Sequence, residues 1–129
     1  MLSTLSRNSG IGPLVLRLAI AAIFLYHGML KWPLNPEAPW FMPIIAVAEP
    51  IGAIAILLGF LTRWAALGLA IIMVGAIYMK ITAFGVGFAA AQGTGWEFDL
   101  MILAGCIAVM FLGAGPFSVD AKTGMDSKQ

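Results

Sequence analysis

Residues 46–61 read AVAEPIGAIAILLGFL, a run apolar enough to sit in lipid that carries a carboxylate, Glu49, followed at once by Pro50. An acidic side chain at the centre of a membrane helix costs roughly 2.5–3.5 kcal/mol on insertion scales. Glu49 is too short to reach water from that depth, so it must be paired, protonated or lining a wet cavity. Any fold for this chain therefore has to bring polar company to Glu49 from the other apolar segments. Pro50 adds a second demand. It has no N–H to give the carbonyl of Ala46, one turn earlier, and irregular backbone at depth is tolerated where it lines a cavity or packs on protein.

Three further apolar segments are available, and spans are expected at about 13–31, 42–61, 64–84 and 96–112 of a single 129-residue domain. Polar tails are expected at 1–12 and 117–129. Pro13 suits the first turn of a helix. Residues 32–43 hold four prolines and two tryptophans, so they break the helix and suit the membrane–water interface. Thr62 and Arg63 read as a tight turn, residues 85–95 as a Gly/Ala loop, and Thr94 with Glu97 as a capping box for the last helix. Gly113, Gly115 and Pro116 stop that helix. Spans of about 20 residues fit a hydrocarbon core of about 30 Å. Charged residues make up 10% of the chain, against about 25% in an average soluble domain, which leaves too little polar surface to face water. The fold class expected is all-α: an integral membrane four-helix bundle. Leu16-x-Leu18-Ala19-Ile20 returns as Leu67-x-Leu69-Ala70-Ile71, a loose likeness between two hairpin halves.

Composition and spacing also set exclusions. A net charge of +1 gives no field for nucleic acid. The single cysteine, Cys106, precludes an internal disulfide or a CxxC redox pair, and among mid-membrane apolar residues its thiol stays protonated. One histidine with no HxxH or ExxH spacing predicts no metal site and no bis-His haem. The apolar run after Arg7 is interrupted by Arg17 and lacks a small-residue cleavage site, so it reads as a retained span rather than a secretion signal. Arg7, Arg63, Lys122 and Lys128, with Arg17 nearby, lie on one side and only Lys31 and Lys80 on the other. The positive-inside rule then puts both termini in the cytoplasm.

At a 1.5 Å rise per residue, Glu49 sits about 10 Å below the outer end of its span, while His27 and Lys80 sit about 20 Å from the inner ends of theirs. Glu97 and Asp99 open the last helix from outside. These residues come from four helices yet share one height, which predicts a polar pocket made by Tyr26, His27, Glu49, Lys80, Asp99 and Glu97. Plainer roles exist for most of them. Lys80 is near enough to the interface to snorkel. Glu97 can serve as a cap alone. It stands about 200° around the helix from Asp99, so only one of the two faces the bundle. His27 and Lys31 make an i, i+4 pair. Arg17 and Asp120, both near the cytoplasmic side, read as a structural ion pair pinning the C-terminal segment.

Several short motifs occur in order along the chain: Arg17-Leu18 with His27-Gly28-x-x-Lys31, then Glu49-x-x-Gly52, then Gly59-Phe60-Leu61-Thr62-Arg63, and last Gly115-Pro116-Phe117-Ser118-Val119-Asp120. In order and spacing they resemble the DoxX family of small four-helix membrane proteins, over about residues 14–120. The resemblance implies a bacterial-type inner-membrane, multi-pass protein associated with redox chemistry. Some relatives are linked to thiosulfate:quinone oxidoreduction, others to oxidative-stress complexes. The leading expectation is thus a redox-associated accessory subunit, itself not necessarily catalytic, whose outer-half pocket takes a quinone or similar small amphiphile. Tyr26, His27 and Glu49 would meet the head group. Electrons would come from partner redox subunits in the bilayer, and a homo-oligomer is compatible. The alternatives are a small transporter or ion-handling protein using Glu49 with Lys80, or a scaffold subunit whose buried charges fix helix register.

Overall fold

The computed structural model describes residues 9–126, and among them every regular element is a helix. Helices α1 (Ile11–Met29), α2 (Met42–Leu58), α3 (Thr62–Thr82) and α4 (Trp96–Leu112) are long, and α5 (Val119–Thr123) is a single turn. Each long helix packs on two others: α1 on α2, α2 on α3, α3 on α4, and α4 back on α1. The ring is uneven, because the closest packing lies within two hairpins, α1–α2 and α3–α4.

The interior is assembled from small residues. Ala21, Ala46, Ala53, Ala66 and Cys106 are fully buried, with Ile20, Phe24, Ile56, Leu69, Ile102 and Val109 filling the space between them. Small side chains let helix backbones approach closely, which is how helices associate where lipid removes the hydrophobic drive. The outer faces are apolar as well: Ile44, Ile51 and Leu58 on α2 and Ile71, Val74 and Tyr78 on α3 are exposed. Helices α1 and α3 are long and apolar enough to cross a membrane, yet only 28% and 22% of their most apolar windows are buried. A core helix of a soluble protein would hide that surface. Apolar surface of this extent belongs in lipid.

Several boundaries differ from expectation. Helix α2 ends at Leu58, where Gly59 takes a left-handed conformation (φ 68°) and the Phe60 N–H reaches back to the Ala55 carbonyl at 2.9 Å. That is a Schellman-type stop. Phe60 and Leu61 make the connection, and Thr62 and Arg63 already belong to α3. The expected Thr94/Glu97 capping box does not form. Gly95 occupies the N-cap without a side-chain bond, and the Thr94 hydroxyl accepts from Lys80 instead. The expected C-terminal tail is folded as far as it is described: Ser118 caps α5 by accepting from the Ala121 N–H, and Ser118 and Asp120 are buried. Of the expected N-terminal tail, residues 1–8 and Arg7 with them lie outside the described residues, as does Lys128.

The end of the bundle that carries the α2–α3 turn is held by charged side chains. Arg17 donates to the carbonyls of Ile56 (2.8 Å) and Leu57 (2.8 Å) at the end of α2, and to those of Ala114 (2.7 Å) and Phe117 (3.0 Å). Asp120 accepts from the Leu61 and Thr62 N–H groups at 2.8 and 2.9 Å, a capping role for α3 played from far along the chain. A cation thus sits at the C-terminus of α2 and an anion at the N-terminus of α3, the favourable sign for both helix dipoles. Asp120 lies within Coulombic reach of Arg17, and the two converge on the α2–α3 turn, Arg17 at the carbonyls that end α2 and Asp120 at the N–H groups that open α3. Arg63 repeats the device in the second hairpin, donating to the Met110 and Phe111 carbonyls at the end of α4.

Candidate functional site

The opposite end of the bundle, which carries the α1–α2 and α3–α4 loops, is built on one ion pair per hairpin. Lys31, just past the end of α1, places its Nζ 2.6 Å from Oε2 of Glu49 and 3.2 Å from the His27 carbonyl. Lys80, in the last turn of α3, places its Nζ 2.5 Å from Oδ2 of Asp99 in the first turn of α4. It also donates to Thr94 Oγ1 at 3.1 Å and to the Thr94 and Gly95 carbonyls, both at 3.3 Å, which ties the 85–95 loop to α3. The carboxylates are the hidden partners: the side chains of Glu49 and Asp99 are 5% and 10% exposed, those of Lys31 and Lys80 24% and 22%. Long lysine stems reach inward from the interface to meet short acids that cannot reach out.

Glu49 is lodged where α1 and α2 pack tightly at Gly28. A side chain at Gly28 would collide with the Pro50 ring, 2.7 Å away, and with Cβ of Glu49 at 3.3 Å. The Ala46 carbonyl that Pro50 leaves without its helical donor receives the indole N–H of Trp32 at 3.3 Å. The loop after α1 therefore completes the irregular backbone beside the carboxylate.

Between the two pairs lies a cavity of about 240 Å³. Its polar lining is His27, Lys31, Glu49, Lys80, Thr94 and Asp99, and Phe24, Met73, Phe98 and Ile102 are among its apolar walls. All four long helices contribute. Beside it, between the N-terminal half of α2 and the C-terminal half of α3, runs an apolar groove of about 590 Å³ walled by Phe41, Met42, Ile45, Ile72, Gly75 and Met79. The two spaces share Lys31, Glu49, Ala76 and Lys80 as lining.

Of the residues singled out in the sequence, His27, Glu49, Lys80 and Asp99 meet at this cavity. Tyr26 does not line it; its side chain is 64% exposed and packs edge-on against the His27 ring at 5.6 Å between centroids. Glu97 is exposed and also outside the lining. Asp99, not Glu97, is the acid that faces the bundle. The partner of Glu49 is Lys31, whose i, i+4 relation to His27 gives only a bond from its ammonium to the His27 carbonyl. A signal for it existed: Lys31 is the cation nearest the outer end of α1, opposite the start of α2. Glu49 and Lys80 line the same cavity but pair with different partners.

An all-helical chain with an apolar exterior, buried ion pairs and a polar cavity at one end is a helical membrane protein. The chain belongs to the DoxX family, whose profile matches residues 12–83, that is α1 to α3 with the Lys31–Glu49 pair. It is also similar to an uncharacterized membrane protein of Mycobacterium tuberculosis, at 32% identity over 83% of this chain and 78% of that relative. No solved structure matches it.

Proposed function

We propose that this DoxX-family chain crosses a bacterial-type inner membrane several times, with both termini in the cytoplasm, and binds a quinone or similar small amphiphile in its outer-half cavity. In this reading it is an accessory subunit of a membrane redox system. The observation that carries the proposal is the cavity itself, where charged side chains from both hairpins surround one space and both carboxylates are buried. Their cost is offset pairwise by Lys31–Glu49 and Lys80–Asp99, so the cavity is polar without a net field. Such a site favours a neutral head group with hydrogen-bonding ends over a phosphate. The Lys31 and Lys80 ammonium groups and the His27 ring supply donors to the carbonyl oxygens of a quinone. Electrons come from a partner subunit, and a second copy of the chain is compatible with the same role.

Mass spectrometry of protein purified in mild detergent tests this, together with binding of a short-tailed benzoquinone. Bound quinone in the wild type, reduced at least tenfold in Glu49→Gln and Lys80→Met, is the expected result. A second reading rests on the fact that each ion pair closes within one hairpin, which also fixes helix register. If Glu49→Gln lowers the melting temperature and the wild type neither carries nor binds a quinone, the scaffold reading stands in its place.

A further inference from the structure

We infer that the occupant of the polar cavity enters sideways from the lipid, between α2 and α3, and keeps its apolar tail in the groove there while its head group sits between the ion pairs. This rests on the amphiphile reading and specifies the ligand class further: a neutral head group carrying a long hydrocarbon tail, rather than a small water-soluble molecule entering from the outer face.

Three observations lead to it. First, the groove and the cavity are continuous in lining, sharing Lys31, Glu49, Ala76 and Lys80. A molecule lying in the groove thus reaches both ion pairs at one end. Second, the groove lies on a seam between hairpins, where α2 and α3 pack less closely than helices do within either hairpin. Its rim residues, Ile71, Tyr78 and Phe84, are exposed on the lipid-facing surface. Third, the partition of chemistry fits a two-part molecule. The cavity gathers the polar side chains, whereas the additional lining of the groove is almost wholly apolar, from Pro39 and Phe41 to Met79 and Phe84. Ligand sites are commonly apolar with few convergent polar groups, and here the two are set end to end.

Gly75 offers a direct way to block the groove. It lines the groove, and a Cβ added there meets nothing within 4 Å, so the position has room for a side chain to start. Gly68, two helical turns away on the same helix face, lines the next apolar recess, which shares Ile71 and Ile72 with the groove but none of its polar lining, and is equally open. Gly75→Trp, Gly68→Trp and wild type are compared in nanodiscs for equilibrium binding of two probes, a short-tailed benzoquinone and the same head group with a long isoprenoid tail. The expected result is that wild type binds the long-tailed probe at least tenfold more tightly, that Gly75→Trp abolishes this advantage while holding the short-tailed affinity within twofold, and that Gly68→Trp changes neither. Equal affinity for both probes in wild type overturns the inference and leaves the head-group site standing, as does a long-tail advantage that survives Gly75→Trp. Loss of both probes in Gly75→Trp also overturns it, because the groove is then not separable from the head-group site. Failure of wild type to bind either probe is the distinct outcome that removes the amphiphile reading itself.

Discussion

Lys31 Nζ and Glu49 Oε2 stand 2.6 Å apart, joining the chain just past the C-terminus of α1 to the middle of the following helix. The pair is unequal in exposure, since Glu49 is almost sealed off while Lys31 keeps about a quarter of its side chain accessible. That inequality decides how the two respond to mutation. Removing one partner of a buried pair is costly because the other is left uncompensated, on the order of 3–5 kcal/mol for full burial. Lys31, left alone, can swing toward the interface. Glu49, left alone, cannot.

Lys31→Met is accordingly expected to destabilise the protein by a few kcal/mol, on the order of the lower end of that range given the exposure of Lys31. Glu49→Gln should cost roughly 1 kcal/mol, in line with a lost charge-assisted hydrogen bond. The double variant should recover most of the loss. Thermal unfolding in detergent, read by circular dichroism, checks the order of the three, and equal losses for the two single variants would contradict it.

Arg17 satisfies four carbonyls from two separate segments, the end of α2 and residues 114–117. Lysine carries a compact ammonium in place of a planar fork and cannot span them. Arg17→Lys should loosen the α2–α3 turn and the 114–118 segment together, visible as faster amide exchange in both, with protection at Glu49 unchanged. Asp120→Ala removes the acceptor for two N–H groups at the start of α3 and should cost about 1–2 kcal/mol, as lost N-caps do.

Gly59 has no room for a side chain. Its φ is 68°, and an added Cβ would run into Ser118 and come within 2.6 Å of Arg17 Nη2. Gly59→Ala is expected to cost more than about 2 kcal/mol, combining backbone strain with a clash against the group that caps α2. Gly68→Ala, in an open helical position, should instead stabilise by about 0.5–1 kcal/mol. Melting temperatures of the two variants should move in opposite directions.

Lys80 bonds Thr94 and Gly95 as well as Asp99, so Lys80→Met should free the 85–95 loop. Limited proteolysis of the variant in nanodiscs is expected to cut there first, while wild type resists. Orientation has its own readout in thiol labelling. Cys106 is fully buried and should ignore a membrane-impermeant maleimide, Asn35→Cys should label in intact cells, and Lys122→Cys only after lysis.

The sequence alone determined that this is a helical membrane chain, and it did so through hydropathy. Apolar runs of spanning length, interrupted by Pro33, Pro36 and Pro39 and by the glycines before Pro116, leave few other ways to satisfy the backbone in lipid. It also singled out Glu49, because desolvation of a carboxylate in an apolar run is a local cost that needs no knowledge of neighbours. The freed carbonyl of Ala46 was legible for the same reason, since Pro50 lacks a donor wherever it packs.

What only the tertiary structure decided is which groups answer those demands. The indole of Trp32 takes the Ala46 carbonyl, Lys31 takes Glu49, and Asp99 rather than Glu97 turns inward to Lys80. Tyr26 and Glu97, at the same height, point away from the cavity. Height follows from counting residues along a helix. The direction a side chain faces depends on how each helix is rotated against its neighbours, and in a chain apolar on all faces no amphipathic stripe encodes that rotation. The same holds at the inner end. The repeated Leu-x-Leu-Ala-Ile motif aligns Arg17 with Gly68, whereas in the folded chain Arg63 performs the matching task at the end of α4. Long cationic side chains reach their acceptors from more than one register, so their positions in sequence carry less information than the positions of the carbonyls they close.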